Sequence, residues 1–213
     1  MRAFQYYTPT EIVFGKDSVN HLAELVKKHG ASRVLVVYGG HSAIRSGLLD
    51  RVLALLAQGG VQTDAIGGVQ PNPRVALARE GVKKAIALDA DLILAVGGGS
   101  VIDTAKAIAH GKANPETDIW EFWKRRAVLT KSTPVGVVLT IPAAGSEMSN
   151  SAVLTNAEED EKRGPPGLAA AARDDNAPHG GSFPVWTQTT GTSDSVPDAS
   201  LLSTAAAPVS SAA

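Results

Sequence analysis

The chain has 213 residues, a formal net charge of −1, 44% hydrophobic and 19% charged residues. That is enough apolar material for a domain with a core, which excludes wholesale disorder, and the near-neutral balance gives no electrostatic pull toward nucleic acid or an anionic membrane. The absence of cysteine removes disulfides, thiolate metal sites and thiol catalysis together. With no long apolar run and no basic-then-apolar leader, a cytoplasmic protein is expected.

Residues 11–14 read as a short strand, closed by Gly15 and followed by a helix that aligns Val19, Leu22, Leu25 and Val26. Residues 33–38 (RVLVVY) are a continuous β-branched apolar run, the pattern of a strand buried on both faces. Gly39 and Gly40 interrupt it, and Ile44, Leu48, Leu49, Val52, Leu55 and Leu56 then recur at helical spacing. A weaker strand over 62–65 leads to Pro71-Asn72-Pro73, where the second proline holds Asn72 extended. A helix follows with Val75, Ala78, Val82, Ala85 and Ile86 turned inward. Residues 91–96 (DLILAV) are a second buried strand; Gly97, Gly98 and Gly99 then open a helix over 100–110, and 135–140 (VGVVLT) supplies one more strand. No internal repeat at a fixed period is present. The alternation predicts an α/β fold, a Rossmann-like parallel sheet with helices on both faces and right-handed crossovers.

The composition changes along the chain. Residues 1–156 carry a formal charge of +4 and residues 157–213 one of −5. From Gly164 onward, 34 of 50 residues are Gly, Ala, Ser, Thr or Pro and eight are Leu, Val, Phe or Trp, too little apolar surface to offset the entropy of ordering. An ordered α/β domain over 1–156 and a largely disordered low-complexity tail over 157–213 are therefore expected.

In parallel sheets ligands gather at the carboxyl ends of strands, and four turns fall there: 39–42, 70–73, 97–100 and 140–147. The three glycines at 97–99 let the backbone approach a ligand closely, and the helix beginning near Ser100 offers unpaired N–H groups suited to a pyrophosphate. The alternative is a structural turn, with Ser100 capping the helix and Asp103 completing a capping box. At Gly39 and Gly40 no carboxylate occurs between Glu24 and Asp50, so the space fits a 2′-phosphate, with His41, Ser42 and Arg45 as neighbours. A plain solvated loop is the competing reading there. Asn72 either contacts a ligand or shapes its turn. Polar residues from Thr140 to Ser146 follow a buried strand, a placement more often functional than decorative. Glu147 has no identifiable histidine partner, and a positioning role is expected for it.

Taken in order, FGKDSVNHL, YGGHSAIRSGLLD, QPNP, LAVGGGSVIDTAKAIA, DIWEF and VGVVLTIPAAGSEMSNSAVLTN make the stretch from about Phe4 to Asn156 resemble the N-terminal half of an iron-containing (group III) alcohol dehydrogenase. The branch it resembles is that of NADPH-using butanol dehydrogenases and aldehyde reductases. Glycerol dehydrogenases and dehydroquinate synthases share the GGGS turn, but QPNP and AAGSEMS favour the alcohol dehydrogenases.

The resemblance implies that NADP(H) lies with its pyrophosphate on Gly97, Gly98, Gly99 and Ser100, with Asp103 carried in the same motif. Thr140, Ser146 and Val153 would face the nicotinamide half. Gly40 stands where NAD-preferring members carry an aspartate. It further implies an alcohol or aldehyde substrate, pairing of two copies through their first strands, and a divalent metal, iron or zinc, that polarises the substrate oxygen while hydride moves to or from the nicotinamide. In that family one aspartate and three histidines of a helical second domain hold the metal, and the residues after Asn156 do not resemble that domain. Asp175 and His179 reproduce the spacing of the first ligand pair, but Pro178, Gly180, Gly181 and Pro184 exclude the helix that would align them. The tail composition resembles what a shifted reading frame of a GC-rich gene would give. The expectation is thus a cofactor-binding domain of an NADP-dependent oxidoreductase without its own metal ligands, inactive alone; the alternative is an inactive nucleotide-binding fragment or frameshifted product.

Overall fold

The computed structural model describes residues 10–143, 145–164 and, as backbone, 185–187. β1 (Ile12–Phe14) runs through a 3₁₀ turn (Ser18–His21) into α1 (Leu22–Lys28), then β2 (Arg33–Gly39), α2 (Ser42–Arg45), α3 (Leu48–Gln58) and β3 (Gln62–Val69). α4 (Val75–Ala87), β4 (Leu92–Gly97), α5 (Gly99–Ala113), α6 (Ile119–Trp123) and β5 (Val135–Leu139) continue the alternation. A second 3₁₀ turn (Ser146–Met148), β6 (Leu154–Asn156), β7 (Glu161–Arg163) and β8 (Val185–Thr187) complete it.

Six strands form one sheet in the order β1-β8-β5-β4-β2-β3, every neighbouring pair parallel. The β-branched strands alternate their side chains between two cores, which is why they read as unbroken apolar runs. Val34, Val36, Leu92, Leu94 and Val96 pack with α1 and α3 on one face. Leu35, Val37, Ile93, Ala95, Val135 and Val137 pack with α4, α5 and α6 on the other. The α/β fold with helices on both faces is the one the alternation predicts.

Several expectations change. The helix expected to run from Ile44 to Leu56 is two helices, because Gly47 adopts φ 70° and restarts the chain in a new direction. The break turns Ile44 outward, 48% exposed, and at the end of α4 Ile86 is also solvent-facing at 45%. β3 runs four residues beyond the stretch that reads as a strand, to Val69. The antiparallel β6–β7 hairpin pairs Leu154 with Arg163 and so straddles the 156/157 division. β8 lies within the compositionally poor tail, yet its backbone fills the slot between β5 and β1. Residues 165–184 and 188–213, including Asp175 and His179, are outside the described residues.

Candidate functional site

β3 lies on one side of β2 and β4 on the other, so the chain reverses its winding direction between them. Register pairs Tyr38 with Val96, which places the Gly39–Gly40 turn beside the Gly97–Gly99 turn at the carboxyl edge. This is the topological switch point, where the two diverging connections leave a crevice.

The two glycines at the end of β4 do different work. A Cβ on Gly97 would sit 2.5 Å from Val101 Cγ2, so its absence lets α5 pack onto the strand. A Cβ on Gly98 would meet nothing nearer than Ile141 at 3.9 Å, and one on Gly40 nothing within 4 Å. Packing among the described residues therefore does not require a bare backbone at Gly98 or Gly40; a ligand lying on it would. Gly98 is the N-cap of α5 and its carbonyl accepts from Val101 N and Ile102 N, at 3.0 and 3.1 Å. Gly99 and Ser100 begin the helix and have no carbonyl one turn earlier to bond, so their N–H groups and the positive end of a 15-residue helix face the crevice. The capping-box alternative is not what forms: α5 has no side-chain cap, and Asp103 is engaged elsewhere.

Next to this turn, a cavity of about 620 Å³ opens between the ends of β2 and β3, lined by Tyr38, Gly40, His41, Ile44 and residues 67–71. No carboxylate is among them. His41 lines it; Ser42 and Arg45, expected beside it, are on α2 outside the lining. Asn72, expected extended, has φ 58° instead. The left-handed well is one that asparagine tolerates, and the reversal from β3 into α4 takes it there. Its Oδ1 accepts a 2.7 Å hydrogen bond from Lys162 Nζ on β7.

On the other flank, Thr140 N donates to Gly97 O at 3.1 Å, tying the ends of β4 and β5 together. Asp103, in the second turn of α5, grips the following segment. Its Oδ1 accepts from Ser146 Oγ at 2.6 Å and its Oδ2 from Val153 N at 3.0 Å. The structure thus brings Gly97, Gly98, Gly99, Ser100, Gly39 and Gly40 to one crevice, with Thr140, Ser146 and Val153 along one side through Asp103 and β5. Asn72 joins the opposite rim with Lys162, a residue the sequence analysis passed over. Also passed over was Lys106, 1% exposed, whose ammonium is pushed down to about 8 by desolvation, against the opposing pull of Asp103 and Glu147. A lone charge among the small and apolar residues of TAKAIA was the available signal.

For a dinucleotide, the open backbone at Gly40 and Gly98 and the free amides at the start of α5 fit. For a divalent metal, the described residues bring together no group of three or more His, Cys, Asp or Glu side chains. Among the described residues no helix is long and apolar enough to cross a membrane.

A profile of the family described as "Iron-containing alcohol dehydrogenase" matches residues 9–167. NADH-dependent butanol dehydrogenase A of Clostridium acetobutylicum is 42% identical over 164 residues, which are 77% of this chain and 42% of that enzyme. NADPH-dependent aldehyde reductase YqhD of Escherichia coli is 39% identical over 165 residues, 76% of this chain and 42% of the reductase. The crystal structure of NADH-dependent butanol dehydrogenase A from Thermotoga maritima superposes with a TM-score of 0.78 at 36% identity, covering 89% of this chain and 44% of that one. The chain spans less than half the length of these relatives.

Proposed function

Because the chain belongs to the iron-containing alcohol dehydrogenase family, we propose that its sheet edge binds NADP(H) for an alcohol dehydrogenase or aldehyde reductase. The observation that carries this is the pair of glycine turns at the switch point, where Gly98 and Gly40 leave room that no side chain of the described residues fills. The amides of Gly99 and Ser100 donate to the pyrophosphate, and the α5 dipole favours its negative charge. Gly97 keeps α5 close enough to the strand for those amides to reach. Thr140, Ser146 and Val153 line the side given to the nicotinamide, whose C4 supplies or takes up the hydride when bound. The substrate class is an alcohol and its aldehyde, as the names of the similar butanol dehydrogenase and aldehyde reductase indicate for those proteins.

The choice of the phosphorylated cofactor rests on the cavity beside Gly40. A ribose 2′-hydroxyl is normally held by a carboxylate, which a 2′-phosphate would repel. This lining has none, and His41 there can donate to the phosphate. The relatives divide between the two cofactors, and this chain's own residues support the phosphorylated one. Fluorescence titration tests it. NADPH is expected to bind about tenfold or more tightly than NADH; equal affinity, or a preference for NADH, overturns the assignment. Pairing of two copies is proposed through β1, which has β8 as its single neighbour among the described strands. Sedimentation is expected to show a dimer that a proline at Val13 abolishes.

A further inference from the structure

Lys106 takes no part in the contacts assigned above, yet it is among the most completely buried side chains. Its Nζ lies 2.5 Å from Ser146 O, 3.0 Å from Ser146 Oγ, 2.8 Å from Ser151 O and 3.4 Å from Ser149 Oγ. Three N–H donors serve four oxygens, and none of the four is a carboxylate. Ser146 and Ser151 are five residues apart, so carbonyls that converge on one nitrogen require the chain between them to wrap around it. Asp103, one turn earlier on α5, holds the same segment at Ser146 and Val153. Trp123 of α6 donates its indole Nε1 to Ala152 O at 3.2 Å.

We propose that Lys106 is a positioning residue whose ammonium occupies the centre of the 146–153 segment as a bound cation would, and so fixes that segment on α5 as one wall of the dinucleotide cleft. The claim that the wall serves a dinucleotide rests on the function proposed above; the clamp itself does not. Removing the ammonium leaves the buried Ser146 carbonyl and the part-buried Ser151 carbonyl turned toward each other with no donor between them, and the segment opens to hydrate them. Lys106 touches no cofactor atom in this account.

At neutral pH Lys106 keeps its proton, although burial lowers its amine to about 8 from the ordinary 10.5. The titratable groups acting on it are Asp103 on its own helix and Glu147 on the 3₁₀ turn, with His110 one turn further along α5. Among the described residues α4, α6, β4 and β5 bring no charged group that acts on it.

The test compares the full chain with Lys106→Met. Amide exchange over 146–153 is expected to rise about tenfold in the variant, with β2 and β4 unchanged. NADPH affinity should fall by a similar factor, while ADP, which needs only the glycine-turn end of the cleft, holds its affinity within about twofold. Unchanged exchange overturns the clamp; equal losses for ADP and NADPH overturn its role as the nicotinamide-side wall. If the unaltered chain binds neither nucleotide, the dinucleotide reading and the wall fall together, and exchange still decides the clamp. Should the variant fail to fold, the unaltered chain decides. Protection of 146–153, where a single 3₁₀ turn (Ser146–Met148) is the one helical element, is expected to exceed that of the 157–160 turn by about tenfold, and equal protection overturns the proposal.

Discussion

Neighbouring glycines make opposite predictions. Gly98 has φ −96° and ψ −167°, angles any residue adopts, and open space where its Cβ would lie. Gly98→Val should fold with a melting temperature close to that of the unaltered chain and lose NADPH binding by about 30-fold or more, read by fluorescence titration. Gly97→Ala drives a Cβ against Val101 and should cost about 1–3 kcal/mol, read by denaturant unfolding. A second residue-scale prediction concerns His110, which is fully buried with Nε2 lacking a partner among the described residues. Burial first, and then the Lys106 charge, push its imidazole down to about 3 from 6.5. A group depressed in the folded state contributes stability above its unfolded value and loses it as pH falls toward the folded one. Unfolding at pH 4.5 should show a loss of about 2 kcal/mol relative to pH 7, which His110→Gln removes if the chain folds.

At the level of elements, α6 depends on one side chain. Asp118 caps it by accepting from Trp120 N at 3.0 Å and takes a two-point bond from Arg79 Nε and Nη2 at 2.8 and 2.9 Å. The helix is five residues long and buries Trp120, Phe122 and Trp123, so its propensity alone cannot sustain it. Asp118→Ala should cost about 1–2 kcal/mol in urea unfolding. This helix was not among the elements expected from the sequence, because a single turn of aromatic residues has too few repeats to show a period. RVLVVY and DLILAV were legible as buried strands because both faces meet a core. The helix after Gly40 was half legible: its apolar spacing was plain, but the Gly47 break that turns Ile44 outward leaves no mark in periodicity. Gly97–Ser100 was visible as a ligand turn from composition and place. That Asp103 would be spent on Ser146 and Val153 was not, since those partners are about 40 to 50 residues away in sequence.

For the molecule as a whole, the crevice and the core share one stability. A ligand that binds only the folded chain adds free energy by mass action, so NADPH at ~100 times its dissociation constant should stabilise by about 2.7 kcal/mol. For a chain of this size that is a rise of roughly 5–10 °C in melting temperature, with a smaller rise for NADH at equal concentration; an unmoved melting curve counts against the cleft. Strand order was the least legible feature at this scale, because pattern marks strands but not their neighbours. Nothing in the three residues Val185–Thr187 announces that they lie between β5 and β1. Their place nonetheless sets a schedule for a chain leaving the ribosome. β1 waits for its partner β8 while roughly 170 further residues emerge, on the order of ten seconds at ordinary elongation rates. Until then the main-chain N–H and C=O groups of Ile12–Phe14 ride on the nascent chain without the ladder that β8 supplies, the natural point for a chaperone to hold.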